Sequence, residues 1–307
     1  MTASQSVEQA RARFARVRFA EWLGVTISEV SQDRAVLVLP HRAEHLNARG
    51  VLQGGASASL LTMAGTLAAW TGVDLDADLE LSCVDLSVQY LTAATDEDVV
   101  AEAGVLRRGR GLVVLDVALR SRAGRAICQG LLSYQTSDYA KRRPRLWAQP
   151  SLLPPLTVAT PLSGHRLFTG YVRKLDITPF HQGPGRVRLH MLCTAMHLDE
   201  RGQLHAGALA SIVDIAAVTA SWSLVPRREG ARGSTVGMQV SYPSHAAGAV
   251  VADAYVQQRS EELIFTAVDV TTADEGQLVA MGQVSYRLLE PWPEESNPEP
   301  RPSGRNE

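Results

Sequence analysis

The chain has 307 residues, 45% of them hydrophobic, and a formal net charge of −2. This length allows about two domains, and so balanced a charge gives no reason to expect nucleic acid or an anionic membrane as a partner. The three cysteines, Cys83, Cys128 and Cys193, have no paired or metal-like spacing, so we expect no disulfide framework, metal site or cofactor ligated by them.

The N-terminal segment predicts an amphipathic helix from Ser6 to Glu21, whose arginine-rich side we interpret as a solvated face rather than a nucleic-acid patch. The segment lacks the apolar stretch of a signal peptide, and no run in the chain reaches the ~18 apolar residues of a membrane span. We therefore expect a cytoplasmic protein.

Strand and helix patterns then alternate along the first half of the chain. The predicted elements are strands at Val25–Val30 and Ala35–Leu39, a loop at 45–55, a helix at Ala56–Thr71, and strands at Ser82–Leu91, Val99–Arg107, Leu112–Ser121 and Ala126–Gln135.

Residues 141–160 carry four prolines and no periodicity, which predicts a linker. Beyond it the same order of elements returns, and the tail from 291 to 307 is rich in Pro, Glu and Arg and predicts disorder. The second-half elements are strands at Val187–Cys193, Val236–Tyr242, Val250–Gln257, Ile264–Thr271 and Leu278–Leu288, and a helix at Ala206–Leu224.

The two halves are copies of one unit, because identical residues recur at a constant separation of 152 positions. The matched pairs include His45 with His197, Gly50 with Gly202, Gly55 with Gly207, Trp70 with Trp222, Tyr90 with Tyr242 and Tyr134 with Tyr286. We therefore divide the chain into domains at 1–140 and 161–290. Each unit pairs one long helix, apolar nearly all round, with a run of long strands, which predicts an α+β fold with an antiparallel sheet curled around a buried helix.

This order of elements, with its loop–Gly–helix motif, resembles the hotdog fold of acyl-CoA thioesterases, most closely the PaaI-type branch. The family motif has a His-Gly-Gly opening the helix and an Asp nine residues after the His. The second half matches it with His205, Ala206, Gly207 and Asp214; the first half has Gln53, Gly54, Gly55 and Thr62 at the corresponding positions.

Thioester hydrolysis needs donors for the oxyanion and a carboxylate that activates water or attacks directly. A helix N-terminus supplies the donors, and glycine there allows a close approach. Asp214 lies roughly 12 Å into its own helix, too far to meet the donors of that helix. A complete site therefore needs both units, and the resemblance implies that sites form across paired hotdogs.

Pairing produces two unequal composite sites. We expect catalysis in the first, where Gln53 and Gly54 meet Asp214 and Thr235, with Asn47 and Gly55 binding substrate. The second is expected to be degenerate because it lacks the acid; its members are Asp199, His205, Ala206, Gly207, Thr62 and Cys83. Two alternatives stay open: Asp214 as a polar residue on a partly exposed face, and His205 as a residue that only caps the loop.

The resemblance implies an acyl-CoA thioesterase acting on an acyl-CoA or acyl-carrier thioester, with no cofactor. Hotdog domains also include non-catalytic acyl-thioester binders and dehydratases. Asp199 and His205, six positions apart, keep the dehydratase reading open. By the same resemblance we expect two tandem chains to form a homodimer.

Overall fold

The computed structural model describes residues 2–75, 79–138, 160–161, 170–225 and 231–289. The predicted C-terminal tail and all of the predicted linker except its last residue lie outside the described residues. The domain boundaries therefore stay predictions.

In each half of the chain the strands pack around one long helix of that half. The first-half elements are α1 (Ala3–Phe14), α2 (Arg18–Leu23), β1 (Thr26–Ser31), β2 (Arg34–Leu39), α3 (Gly54–Trp70), β3 (Leu79–Tyr90), β4 (Val99–Arg108), β5 (Leu112–Ser121) and β6 (Ala126–Asp138). The second-half elements are β7 (Thr160–Pro161), α4 (Tyr171–Lys174), β8 (Ile177–Gly183), β9 (Arg186–Met191), α5 (Ala206–Trp222), β10 (Arg232–Ser241), β11 (Val250–Ser260), β12 (Leu263–Thr272) and β13 (Leu278–Leu289).

The single N-terminal helix predicted from Ser6 to Glu21 is wrong, because the segment forms two helices, α1 and α2. Val17 between them is extended, with φ −74° and ψ 99°. Phe14, Val17 and Phe19 are all buried. In a continuous helix Phe14 and Phe19 would point to different sides, so the break lets both side chains enter the core.

The strands form one antiparallel sheet in the order β1-β2-β4-β5-β6-β3-β10-β13-β12-β11-β9-β8-β7. The halves join where β3 pairs with β10, from Gln89 opposite Gly237 to Asp85 opposite Ser241. Helix α3 contacts strands β2 to β6, and α5 contacts β9 to β13. Each half is thus a sheet wrapped around its own helix, as the hotdog resemblance implied, and the strands of both halves form one continuous sheet.

The two central helices pack against each other in antiparallel directions. Gly55 near the start of α3 faces Ser211, and Gly207 near the start of α5 faces Ser59. A Cβ on Gly55 would lie 2.8 Å from the Cα of Ser211, and one on Gly207 2.7 Å from the Cα of Ser59. Glycine at these two positions is therefore required by the helix crossing itself.

A small polar cluster lies at this crossing. The hydroxyl of Tyr171 is 3.1 Å from Ser59 Oγ and 2.9 Å from Ser211 Oγ. The two serines are equivalent positions of the repeat, and their Oγ atoms are 3.1 Å apart. Tyr171 therefore lies close to the local two-fold axis that relates the halves, and this buried contact fixes the helices against each other.

Candidate active site

The N-terminus of α3 lies against the Asp214 carboxylate of α5. Gln53 is the N-cap residue, and α3 begins at Gly54 rather than at the predicted Ala56. A Cβ on Gly54 would come within 2.8 Å of Asp214 Oδ2. Any other residue at position 54 would displace the carboxylate, so this glycine allows the acid of one half to reach the helix end of the other.

Asp214 is buried, with 1% of its surface exposed. Thr235 Oγ1 donates a hydrogen bond of 2.7 Å to Asp214 Oδ1. Burial raises the pKa of Asp214 to about 6, against the opposing effects of Thr235 and the backbone N–H of Gly55. A carboxyl group with a pKa close to neutrality is suited to act as a base, because it is ionised at pH 7 yet still accepts a proton readily.

Gln53 is buried, and its side-chain amide makes no hydrogen bond to any part of the chain that the structure describes. Asn47 lies in the loop before α3, where its Oδ1 accepts hydrogen bonds from the backbone N–H groups of Arg49 and Val51. The Gln53 amide is therefore available to a ligand, whereas Asn47 shapes the loop.

A cavity of about 410 Å³ opens onto these groups. This volume lies within the range of ordinary small-molecule sites, ~300–1,000 Å³. Its lining includes Asn47, Gln53, Gly54, Asp214 and Thr235, which the sequence analysis assigned to one site, together with an apolar wall of Leu91, Ile127, Ile215, Val218 and Trp222. Gly55 does not line it and faces α5 instead.

The equivalent positions of the second arrangement also come together, with different contacts. His205 caps α5: its Nδ1 accepts a 3.0 Å hydrogen bond from the N–H of Gly207. Burial lowers the pKa of His205 to about 4, so its ring is neutral at pH 7. Thr62 is buried opposite Gly207 and donates to the carbonyl of Ser59. Cys83 stands where the first site has Thr235, and burial raises its thiol pKa to about 12.

Asp199 occupies the same loop position as Asn47. Its Oδ1 accepts hydrogen bonds from the N–H groups of Arg201 and Gln203, and burial raises its pKa to about 6. Asp199 and His205 are thus each bonded to their own backbone, and no hydrogen bond or ion pair joins the two side chains within the described residues.

The N-terminal helices cover this second arrangement. Arg13 of α1 pairs with Glu200 at 2.8 Å and lies 5.1 Å from the ring centre of Trp70. The ring of Phe19 stacks at a tilt on His205, with centroids 5.3 Å apart. The space left beside Ala206 and His205 is about 60 Å³, far smaller than the cavity at Asp214. This difference favours the Asp214 side as the place for a substrate.

Sequence reasoning assigned no role to two tyrosines that hold these helix ends. Tyr90 Oη donates to the carbonyl of Gly54 at 3.0 Å, and Tyr242 Oη donates to the carbonyl of Ala206 at 3.1 Å. Both were visible as a matched pair of the repeat. The identity of two tyrosines at equivalent strand ends was the signal that could have identified them as supports of the two sites.

Among the described residues, no helix combines the length and apolarity of a membrane span. The same residues contain no group of three or more His, Cys, Asp and Glu side chains that could hold a metal ion.

Known thioesterases resemble part of this chain in sequence. The model of the thioesterase superfamily matches residues 49–128, from the loop before α3 into β6. Acyl-coenzyme A thioesterase 13 of Homo sapiens is 33% identical over 114 residues, which cover 36% of this chain and 79% of that protein.

Solved structures extend the likeness to both halves. A protein with the hotdog fold from Alicyclobacillus acidocaldarius aligns with a TM-score of 0.64 at 14% identity, covering 91% of this chain and 98% of that one. An acyl-CoA thioesterase II from Mycobacterium marinum aligns with a TM-score of 0.61 at 15% identity, covering 89% and 98%. At these identities the structures establish the tandem fold alone.

Proposed function

Because the chain belongs to the thioesterase superfamily, we propose that it hydrolyses an acyl-CoA thioester, aliphatic or aromatic, to a free acid and a thiol at the site around Asp214. The observation that carries this proposal is a buried carboxylate, with a pKa raised to about 6, set against the N-terminus of a helix from the other half. The acyl-CoA assignment is supported by the name of the human relative.

In the proposed reaction the thioester carbonyl lies at the start of α3. The N–H of Gly54 and the Gln53 amide donate to the oxyanion as it forms, in place of the donors that water would supply. Asp214 either takes a proton from the attacking water or attacks the carbonyl itself, and Thr235 holds the carboxylate in position. If water attacks, the C–S bond breaks, the thiolate leaves and the free acid is the other product. If Asp214 attacks, the thiolate leaves an acyl–Asp214 anhydride, which water then hydrolyses to the free acid and the regenerated carboxylate.

The degenerate second site supports an assignment of a single active site per chain. Thr62 replaces the acid, the cap of α5 is bonded to its own backbone, and α1 with Phe19 fills the space above. The dehydratase reading is disfavoured, because it would need Asp199 and His205 to act together.

The test is a thiol-release assay over a panel of aliphatic and aromatic acyl-CoAs, with the wild type and Asp214→Asn. The variant should lose at least about 100-fold in kcat, the range of an acid–base group. Thr62→Ala, which alters the corresponding position of the second site, should stay within a few-fold of the wild type.

Near-normal turnover by Asp214→Asn would refute the mechanism. Binding of acyl-CoA by the wild type without any thiol release would favour the non-catalytic binder instead, and water addition to an enoyl-CoA would favour the dehydratase.

A further inference from the structure

The two composite sites differ in charge at matched positions on their rims. In the second site Arg201 Nη1 forms an ion pair with Glu80 Oε1 at 2.9 Å. The equivalent positions at the first site are Arg49, which corresponds to Arg201, and Arg232, which corresponds to Glu80. A pair of opposite charges at the second site is thus a pair of arginines at the first, and each pair has one member from each half of the chain.

Arg49 and Arg232 lie at backbone positions equivalent to those of the Arg201–Glu80 ion pair. Glu80 pairs across β3 and β6 with Ser137, and Arg232 pairs across β10 and β13 with Leu289, which is the position equivalent to Ser137. Both strands carry their register shift at the same point, between Cys83 and Asp85 and between Thr235 and Gly237.

The loops that carry Arg49 and Arg201 also have matching hydrogen bonds. The N–H of Arg49 donates to Asn47 Oδ1, and the N–H of Arg201 donates to Asp199 Oδ1. Arg49 and Arg232 both line the cavity that contains Asp214. The two arginines are therefore exposed side chains that border the same cavity, at positions whose equivalents in the second site are close enough to form an ion pair.

Two like charges held at one rim repel each other unless an anion lies between them. Within the described residues neither arginine has a carboxylate partner, whereas the nearby Arg287 is paired with Glu262 at 2.7 Å. Guanidinium groups bind phosphate oxygens through two parallel N–H donors, so a pair of them matches a phosphate group in both charge and shape.

We propose that Arg49 and Arg232 form an anion site that binds a phosphate group of the thiol carrier of the substrate. The proposal rests on the function proposed above. It adds that the enzyme recognises the phosphorylated carrier at the rim, separately from the acyl group in the apolar part of the cavity.

The spacing agrees with this division. Arg232 precedes Thr235 by three residues of β10, which places its backbone about 10 Å from that of the residue that holds Asp214. A phosphate at the rim is then well separated from the thioester, as the extended arm of a carrier thiol requires.

The charge of the second site explains why the arrangement occurs once. There Glu80 neutralises Arg201 and also lies 3.1 Å from Nε2 of His245. Glu200 beside it is paired with Arg13. An anion at that rim would face two carboxylates and the N-terminal helix.

The first experiment measures binding by calorimetry to the full-length wild type, Arg232→Glu and Arg49→Glu, with three probes: CoA, 4′-phosphopantetheine and pantetheine. Arg232→Glu recreates the opposite-charge pair of the second site, and Arg49→Glu forms the same pair with its signs exchanged, so the fold should tolerate both. We expect each to weaken CoA binding at least ten-fold. Arg107→Glu, which makes the same change of charge at an exposed residue that does not line the cavity, should not.

The probes identify the phosphate. Weakening of both CoA and 4′-phosphopantetheine would assign the site to the phosphate on pantetheine, which CoA shares with carrier proteins. Weakening of CoA alone would assign it to the phosphates of the nucleotide part. Equal weakening with pantetheine, which has no phosphate, would refute the anion site, as would a wild type that binds pantetheine as tightly as CoA.

A kinetic experiment separates this proposal from the proposed function. With an acyl-CoA and the matching N-acetylcysteamine thioester, which has no phosphate, the ratio of the two kcat/KM values should fall at least ten-fold in Arg232→Glu. An unchanged ratio would contradict the anion site although thioesters are hydrolysed. A wild type that binds CoA through these arginines but releases no thiol would contradict the hydrolase alone.

Discussion

Burial makes ionisation of the Asp214 carboxyl group less favourable and raises its pKa to about 6, so the group is still ionised at neutral pH. If the ionised form is the reactive one, turnover is lost as the pH falls through about 6. A plot of log kcat against pH should therefore rise with a slope of one below that value and level off above it. A flat profile between pH 5 and 7 would contradict Asp214 as the base or nucleophile.

Thr235 provides a sharper form of the same prediction. Its hydroxyl donates to the ionised carboxylate and so lowers the pKa of Asp214. Thr235→Val removes the donor and retains the shape, which should move the midpoint of the pH profile to higher pH. Cys83→Val, at the equivalent strand position of the second site, is the matched control and should leave the midpoint in place.

The raised pKa also has a stability consequence. The folded protein keeps the Asp214 proton up to about pH 6, whereas an unfolded Asp loses it near 3.8. The folded state thus binds more protons between these values, so stability falls as the pH rises through this window, by up to about 3 kcal/mol.

Asp214→Asn removes that ionisation. The variant should be at least as stable as the wild type at pH 7, and its advantage should shrink toward pH 4. Urea denaturation at pH 7 and pH 4 measures the difference in the free energy of unfolding between the variant and the wild type. A variant much less stable than the wild type at pH 7 would contradict this expected direction.

The N-caps of α3 and α5 differ, so we expect their substitutions to lower kcat to different extents. Gln53→Ala removes a side-chain amide that lines the Asp214 cavity at the N-cap of α3 and makes no capping hydrogen bond there. His205→Ala removes a residue bonded to its own helix and covered by Phe19. Gln53→Ala should therefore lower kcat much more than His205→Ala; the reverse order would assign activity to the second site.

Comparison of the two halves of the sequence identified the positions where they differ, since a replaced residue is visible at the fixed separation of 152 positions. The comparison could not predict that the side chains of Asn47 and Asp199 accept hydrogen bonds from the backbone of their own loops, because Asn and Asp side chains also bind ligands. Nor could it predict that Gly55 faces Ser211 rather than a substrate, since that depends on how closely the two helices approach.

Helices α3 and α5 depend on glycine at their crossing. Gly207→Ala would place a methyl group 2.7 Å from the backbone of Ser59, which cannot move without displacing α3. We expect a loss of about 1–3 kcal/mol in the free energy of unfolding, measured by urea denaturation. Gly111→Ala, where a Cβ would have no neighbour within 4 Å, is the control and should change little.

The elements that sequence predicted best are the long ones with a clear period. Strand β5 has the predicted bounds. Helix α3 begins two residues and ends one residue earlier than predicted, and α5 ends two residues earlier. Strand β8 and the short helix α4 were missed. Pro179 and Gly183 inside β8 disfavour a strand locally, and its pairing with β9 and with the short β7 stabilises it there.

At the scale of the whole molecule, the β3–β10 junction makes the two halves dependent on each other. Residues 1–140 expressed alone would expose the edge of β3 and the face of α3 that packs on α5. Such an edge pairs readily with another chain. We expect this fragment to be insoluble or to self-associate, as measured by light scattering after gel filtration; a soluble, folded monomer would contradict it. The homodimer of tandem chains stays a prediction.

Tyr171 shows what joining two copies in one chain makes possible. Its hydroxyl lies almost equally far from Ser59 and Ser211, near the axis that exchanges the halves. In a dimer of identical subunits a second tyrosine would need the same space, so such a contact is forbidden there. After gene duplication and fusion each copy mutates independently, and the position equivalent to Tyr171 is Phe19, which covers His205. Joining the two copies in one chain therefore allows different residues at equivalent positions. Tyr171 bonds to both central helices at the axis, while its equivalent, Phe19, packs over the second site.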